Sequence, residues 1–154
     1  MMMPLFPGSG SSLYPLFPHQ SAAIEAVRHA VKEGHKRIIL QCPTGGGKTV
    51  IAAHIVDASL KKGRRPLFTC PAITLVNQTL KSFEAQGIRD IGVIQAQHER
   101  TDWLAQMQIA SVQTLIRRAL PEVDLILIDE AHLHWVGLAA RLDSPEWKNK
   151  VVIG

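Results

Sequence analysis

From residue 21 to the end, short apolar runs alternate with stretches of helical periodicity, and this alternation constrains the fold more than any other feature. The segments "RIILQ" (37–41), "RPLFTC" (65–70), "DIGVIQ" (90–95), "QMQIA" (106–110), "VDLILID" (123–129) and "VVIG" (151–154) are short and rich in branched residues. "RIILQ", almost uniformly apolar, reads as a strand buried on both faces. Between the runs lie "SAAIEAVRHAVKEG" (21–34), "KTVIAAHIVDASLKKG" (48–63), "PAITLVNQTLKSFEAQG" (71–87) and "SVQTLIRRAL" (111–120), which read as helices. In the first of these, Ala22, Ile24, Val27, Ala30 and Val31 fall at helical spacing and Gly34 provides the stop. Strands separated by helices of this length form right-handed crossovers and a parallel sheet. The expected fold is therefore α/β, a three-layer sandwich with a mostly parallel sheet.

A chain of 154 residues is about one domain, long enough to bury roughly two-thirds of its unfolded surface. With 46% hydrophobic and 19% charged residues it falls in the globular range, not the disordered one. The net charge of +4 favours a polyanionic partner only weakly, because the 17 Lys and Arg are scattered. Their densest cluster, 61–65, suits a helix C-terminus before a glycine stop. Prolines and glycines break up "MMMPLFPGSGSSLYPLFP", so residues 1–15 read as a flexible leader and 16–154 as the domain. No apolar run reaches the length of a membrane span, so no membrane partner is expected. Cys42 and Cys70 have neither disulfide-framework nor zinc spacing, which fits a reducing, cytoplasmic setting.

The chemistry concentrates in two loops that follow apolar strands. "QCPTGGGKTV" (41–50) stands between a strand and a helix, where ligands of parallel α/β sheets bind. Glycines there let backbone N–H groups converge on phosphate oxygens at a helix N-terminus. Lys48 can reach the β and γ phosphates of ATP, and Thr49 can ligate Mg²⁺. The pattern G-x-x-x-x-G-K-[ST] would place glycine at 42, where this chain has Cys42. "VDLILIDEAH" supplies the acidic counterpart: Asp129 to hold Mg²⁺ and Glu130 to orient and deprotonate the attacking water. The bland alternatives are a glycine-rich turn with an exposed lysine, a solvated helix start at Asp129 and Glu130, and loop histidines at 132 and 134.

"CPTGGGKT" followed about 80 residues later by "DEAH" resembles motifs I and II of the superfamily 2 helicases and translocases, in the DEAD/DEAH-box or restriction-enzyme-like branch. "LFPHQ" (16–20) resembles the family's adenine-reading segment, with Phe17 where arginine is common and Gln20 in the adenine-contacting place. "CPAITLVNQ" (70–78) is similar to motif Ia, and "ASVQTL" (110–115) to the next nucleic-acid-contacting segment. The resemblance covers 16–154 and implies a RecA-like ATP-binding lobe. Its nucleotide contacts would be Gln20, Pro43, Thr44, Gly45, Gly46, Gly47, Lys48, Thr49, Asp129 and His132. Pro71, Gln78, Ser111, Gln113 and Thr114 would face nucleic acid, DNA ahead of RNA. Local reading makes Ser111 an N-cap, with Gln113 and Thr114 in the first helical turn. The family pattern would continue past "VVIG" into a Ser/Thr-Ala-Thr segment and a second RecA-like lobe carrying an arginine finger. Joined to that lobe, the chain would hydrolyse ATP to move on nucleic acid; alone it would be half a motor. The rival readings are a P-loop ATPase of another class and a catalytically silent, truncated binding module.

Overall fold

The structure, a computed structural model, describes residues 13–43, 47–95, 97–119, 121–132 and 136–154. Residues 1–12 of the expected leader lie outside them, but Leu13 packs against the core and the Tyr14 carbonyl is hydrogen-bonded by His54 Nε2 at 2.7 Å. Among the described residues six strands form one sheet: β1 (Arg37–Ile38), β2 (Pro66–Cys70), β3 (Ile91–Ile94), β4 (Met107–Ser111), β5 (Leu125–Ile128) and β6 (Val151–Ile153). Their order is β1-β6-β5-β2-β4-β3, and every pair is parallel. The helices are α1 (Pro18–Lys32), α2 (Lys48–Lys61), α3 (Val76–Ala85), α4 (Val112–Arg117) and α5 (Val136–Leu142).

Alternation along each strand sorts the side chains into two cores. Phe68, Ile109 and Leu127 join Val27 of α1, Ala53 and Val56 of α2, and Leu80 and Phe83 of α3. Leu67, Ala110 and Ile126 turn the other way and meet Leu115 of α4, Leu138 of α5 and Trp147. Because a strand's side chains point alternately to its two faces, uniformly apolar strands require such a covering on both sides. The expected three-layer sandwich is the result.

β1 departs from expectation. The run 37–41 read as a strand buried on both faces, yet β1 holds only two residues, Arg37 is exposed, and Ile39 is 86% exposed. Among the described residues β1 pairs only with β6 and so stands at the sheet edge. The Arg37 guanidinium donates to the carbonyls of Lys36, Leu142, Trp147 and Lys150. It thereby ties the segment after α5 to the start of this strand. At the opposite edge, the described residues between β3 and β4 form no helix. The connection folds back so that Val93 N–H donates to the Arg100 carbonyl at 2.9 Å. An Arg100–Glu84 ion pair and a His98–Asn77 hydrogen bond fasten that loop to α3.

Two helices are shorter than their periodicity suggests. After Cys70 the chain bends at Pro71 and Ala72, then makes a 3-10 turn over Ile73–Leu75 before α3 starts. α4 stops at Arg117 because Arg118 is extended. Neither α5 nor the buried Trp147 was legible in the sequence.

Candidate active site

The two strands that carry the phosphate-loop and acidic motifs are β1 and β5, with β6 between them. Gly154, just past β6, donates its N–H to the Ile38 carbonyl and accepts from Leu40 N–H. A Cβ at Gly154 would lie 2.5 Å from Ala131 Cβ, so glycine allows the loop after β5 to close over this point. The carboxyl ends of the three strands therefore open on one cavity of about 620 Å³.

Lys48, Thr49, Asp129, Glu130 and His132 all line that cavity, as do Cys42 and Gly154. Lys48 and Thr49 open α2, a helix of 14 residues whose first intrahelical acceptor is the Gly47 carbonyl, bonded by Ile51 N–H at 3.1 Å. The N–H groups of its first turn face the loop, which concentrates partial positive charge there. Gly47 has φ 77°, in the left-handed region that glycine occupies without penalty. A Cβ there would overlap Gln20 Nε2. Gln20 is thus buried against Gly47, and its Oε1 accepts from Phe17 N–H at 2.8 Å, capping α1. Pro43 is exposed, and Thr44, Gly45 and Gly46 lie outside the described residues, as does His134.

Across the cavity, β5 delivers the acidic pair. Asp129 N–H donates to the Thr69 carbonyl at 3.0 Å, which extends the ladder to β2 by one residue. Burial holds the Asp129 carboxyl above the usual carboxylate range, and Glu130 beside it adds to this; Lys48 and His132 act in the opposite direction. Glu130 Oε1 lies 3.3 Å from Lys48 Nζ, and its Oε2 lies 3.3 Å from His132 Nε2.

A magnesium ion fits this donor set. Thr49 and Asp129 offer hard oxygen donors to the same cavity, and the carboxylate's ionisation, opposed by burial and by Glu130, would gain from a cation. Among the described residues no group of three or more His, Cys, Asp or Glu could hold a metal. Mg²⁺ suits such a site because it binds through one or two protein oxygens and completes its shell with phosphate and water.

The segments assigned to nucleic acid lie on the same edge of the sheet, at the ends of β2 and β4, where Cys70 and Ser111 are register partners. Gln78 is exposed on α3, and Pro71 is half-buried. Ser111 and Thr114 are buried and hydrogen-bond each other: Ser111 Oγ accepts from Thr114 N–H at 3.2 Å and lies 2.9 Å from Thr114 Oγ1. That is N-capping geometry. The Gln113 amide oxygen is buried with no hydrogen-bond partner.

The two cysteines differ in a way that labelling can read. Cys70 is buried, donates to Thr79 Oγ1 at 3.3 Å, and has its thiol pushed up to about 11; burial is the main cause, the Thr79 bond opposes it, and Asp129 adds to it. At pH 8 only about one such thiol in a thousand is ionised, and the thiolate is the nucleophile. Iodoacetamide should therefore add once, at the half-buried Cys42 in the cavity wall, with Cys70 modified only after unfolding. Peptide mass spectrometry showing Cys70 labelled first in the folded protein would refute this placement.

Known proteins share these features. Residues 13–148 match the family described as "Type III restriction enzyme, res subunit". The chain is 29% identical over 143 residues to the replication restart protein PriA of Chlamydia pneumoniae, and 32% identical over 132 residues to the putative ATP-dependent helicase IRC3 of Saccharomyces cerevisiae. These alignments cover 85% and 74% of the chain but only 18% of either relative. Among solved structures, the Sulfolobus solfataricus SWI2/SNF2 ATPase core in complex with dsDNA superimposes with a TM-score of 0.67 over 92% of this chain and 32% of that one, at 17% identity, which shows the fold alone. With most of its length matched, the chain belongs to the Type III restriction enzyme res subunit family, as an N-terminal RecA-like lobe of superfamily 2 helicase type.

Proposed function

We propose that this chain is the ATP-binding lobe of an ATP-dependent helicase or translocase that acts on nucleic acid, DNA ahead of RNA. The observation that carries the reading is the meeting of Lys48 and Thr49 with Asp129 and Glu130 on one cavity, although 80 residues separate Thr49 from Asp129. In this reading the Lys48 ammonium binds the β and γ phosphates. Thr49 Oγ1 and the Asp129 carboxylate would hold Mg²⁺, which would supply positive charge against the phosphate oxygens. Glu130 accepts the proton of the attacking water as its oxygen approaches the γ phosphorus. Gln20, seated against Gly47, is the adenine contact of the segment 16–20. His132 steadies the Glu130 carboxylate. Pro71, Gln78 and Gln113 meet the nucleic-acid backbone, while Ser111 and Thr114 hold the α4 turn that presents Gln113.

A second RecA-like lobe, in cis or in trans, supplies the arginine finger, a group worth about 10³ to 10⁵ in rate in related sites. Such a group acts on charge that develops in the transition state, so the lobe alone retains ground-state binding and loses turnover. The isolated chain should bind ATP·Mg and bind single-stranded oligonucleotides weakly, with little sequence preference and with affinity that falls as salt rises. Nucleic-acid-stimulated phosphate release should appear only when a second lobe is supplied. Oligonucleotide binding that ignores salt, or stimulated release at several turnovers per second from the isolated chain, would overturn this division of labour.

A further inference from the structure

We propose that His98 is a positioning residue for nucleic acid: through Asn77 it fixes the first turn of α3, and so the direction in which Gln78 is presented. This rests on the reading of Gln78 as a nucleic-acid contact. Gln78 is exposed, and the side chains of both its neighbours in the chain are tied. Asn77 Oδ1 lies 2.8 Å from His98 Nε2, and Thr79 Oγ1 accepts from Cys70 Sγ at 3.3 Å. Successive residues of a helix are about 100° apart around its axis, so the two ties hold the turn from different sides with Gln78 between them.

The helix has little else to hold it there. No side chain caps the N-terminus of α3, and its buried residues Val76, Leu80 and Phe83 form one stripe packed against the core. Asn77 and Glu84, two turns apart, form a second stripe, and their partners are His98 and Arg100 of the β3–β4 connection. That connection is anchored on the sheet edge, where Val93 N–H donates to the Arg100 carbonyl at 2.9 Å. β3 therefore holds the loop, and the loop holds the outer stripe of α3. The imidazole serves both ends of this chain. Arg100 N–H, which can only donate, meets His98 Nδ1 at 3.0 Å, so Nδ1 is the unprotonated nitrogen and Nε2–H donates to Asn77 Oδ1. Nδ1 closes the loop's own turn, while Nε2 reaches across to the helix.

Substitution separates the two roles. Glutamine sets its amide nitrogen near the place of Nε2 and keeps the reach to Asn77, whereas asparagine sets its amide oxygen near Nδ1 and keeps only the turn. The test measures the affinity of the wild-type chain, His98→Gln, His98→Asn and Asn77→Ala for a single-stranded oligonucleotide and for a fluorescent ATP analogue. His98→Asn and Asn77→Ala should bind the oligonucleotide about three- to tenfold more weakly, as expected for one hydrogen bond, and His98→Gln should stay within about twofold of wild type. Affinity for the ATP analogue should be unchanged in all three. Weakening in His98→Gln equal to that in His98→Asn, or weakening in neither, would overturn the proposal, as would a parallel loss of both ligands in His98→Asn. A wild-type chain that binds the ATP analogue and no oligonucleotide would instead overturn the nucleic-acid reading, and the proposal with it. A second readout uses no ligand: amide hydrogen exchange over residues 76–80 should be several-fold faster in His98→Asn and Asn77→Ala than in wild type and His98→Gln. Unchanged exchange in His98→Asn would also overturn the positioning role.

Discussion

Replacing Lys48 with alanine should abolish measurable binding of a fluorescent ATP analogue while leaving the far-ultraviolet circular dichroism spectrum unchanged. Lys48 begins α2 with its side chain in the cavity and 46% accessible, and its recorded ion-pair partner is Glu130. Its ammonium therefore contributes little to packing, and alanine is the best helix former to put in its place. The binding loss is large because the phosphates would face Asp129 and Glu130 without the charge that offsets those carboxylates. Removing one member of a hydrogen-bonded charge pair in a site closed by ligand costs about 3 kcal/mol or more, over a hundredfold in Kd. Equal binding by wild type and variant would remove the phosphate-loop assignment, and a collapsed spectrum would show that Lys48 serves the fold.

Stability should respond most to Trp147→Ala. Trp147 is fully buried, packs with Leu138 of α5, Val152 of β6 and Ile126 of β5, and its backbone carbonyl accepts from Arg37. Deleting so large a side chain from a packed core costs about 3–5 kcal/mol, against a total that for a domain is about 5–15 kcal/mol. For a chain of this length the melting temperature should fall by roughly 6–20 °C. Trp147→Phe should recover more than half of the loss, since it restores most of the volume and removes an indole N–H that is buried without an acceptor. A loss below about 1 kcal/mol for the alanine variant, measured by urea titration, would show that this face of the sheet is not a cooperative core.

What was legible in the sequence was local. The run before Lys48 and the helix after it identify a strand-loop-helix unit from 37 to 61, and "LILI" at 125–128 announces a strand buried on both faces. Lys48, Thr49, Asp129 and Glu130 each need only such a neighbourhood to be recognised. The illegible parts depend on residues far apart in the chain. Ile39 is as apolar as Ile126, yet one lies at a sheet edge and the other in the middle, and only strand order distinguishes them. Gln20 reads as a polar residue near a helix start; its place against Gly47 depends on how α1 packs against α2. α5 and Trp147 follow the acidic motif in a stretch with turn residues and little periodicity, and nothing local marks Trp147 as buried. The contact of Glu130 with Lys48 joins two motifs that sequence can place on a common cavity but cannot orient.

The position of β6 sets the order in which the molecule can be assembled. Neighbouring strands lie about 4.8 Å apart, so without β6 the strands β1 and β5 would face each other across a gap of about 10 Å, too wide for a backbone hydrogen bond. β2, β4 and β5 can pair as soon as residues 66–128 are available, but β1 has no partner until 151–153 arrive. During synthesis the lysine and the acid are therefore both present before β6 can bring them together. A nascent chain stopped between residues 128 and 151 should hold a partial sheet and capture no nucleotide.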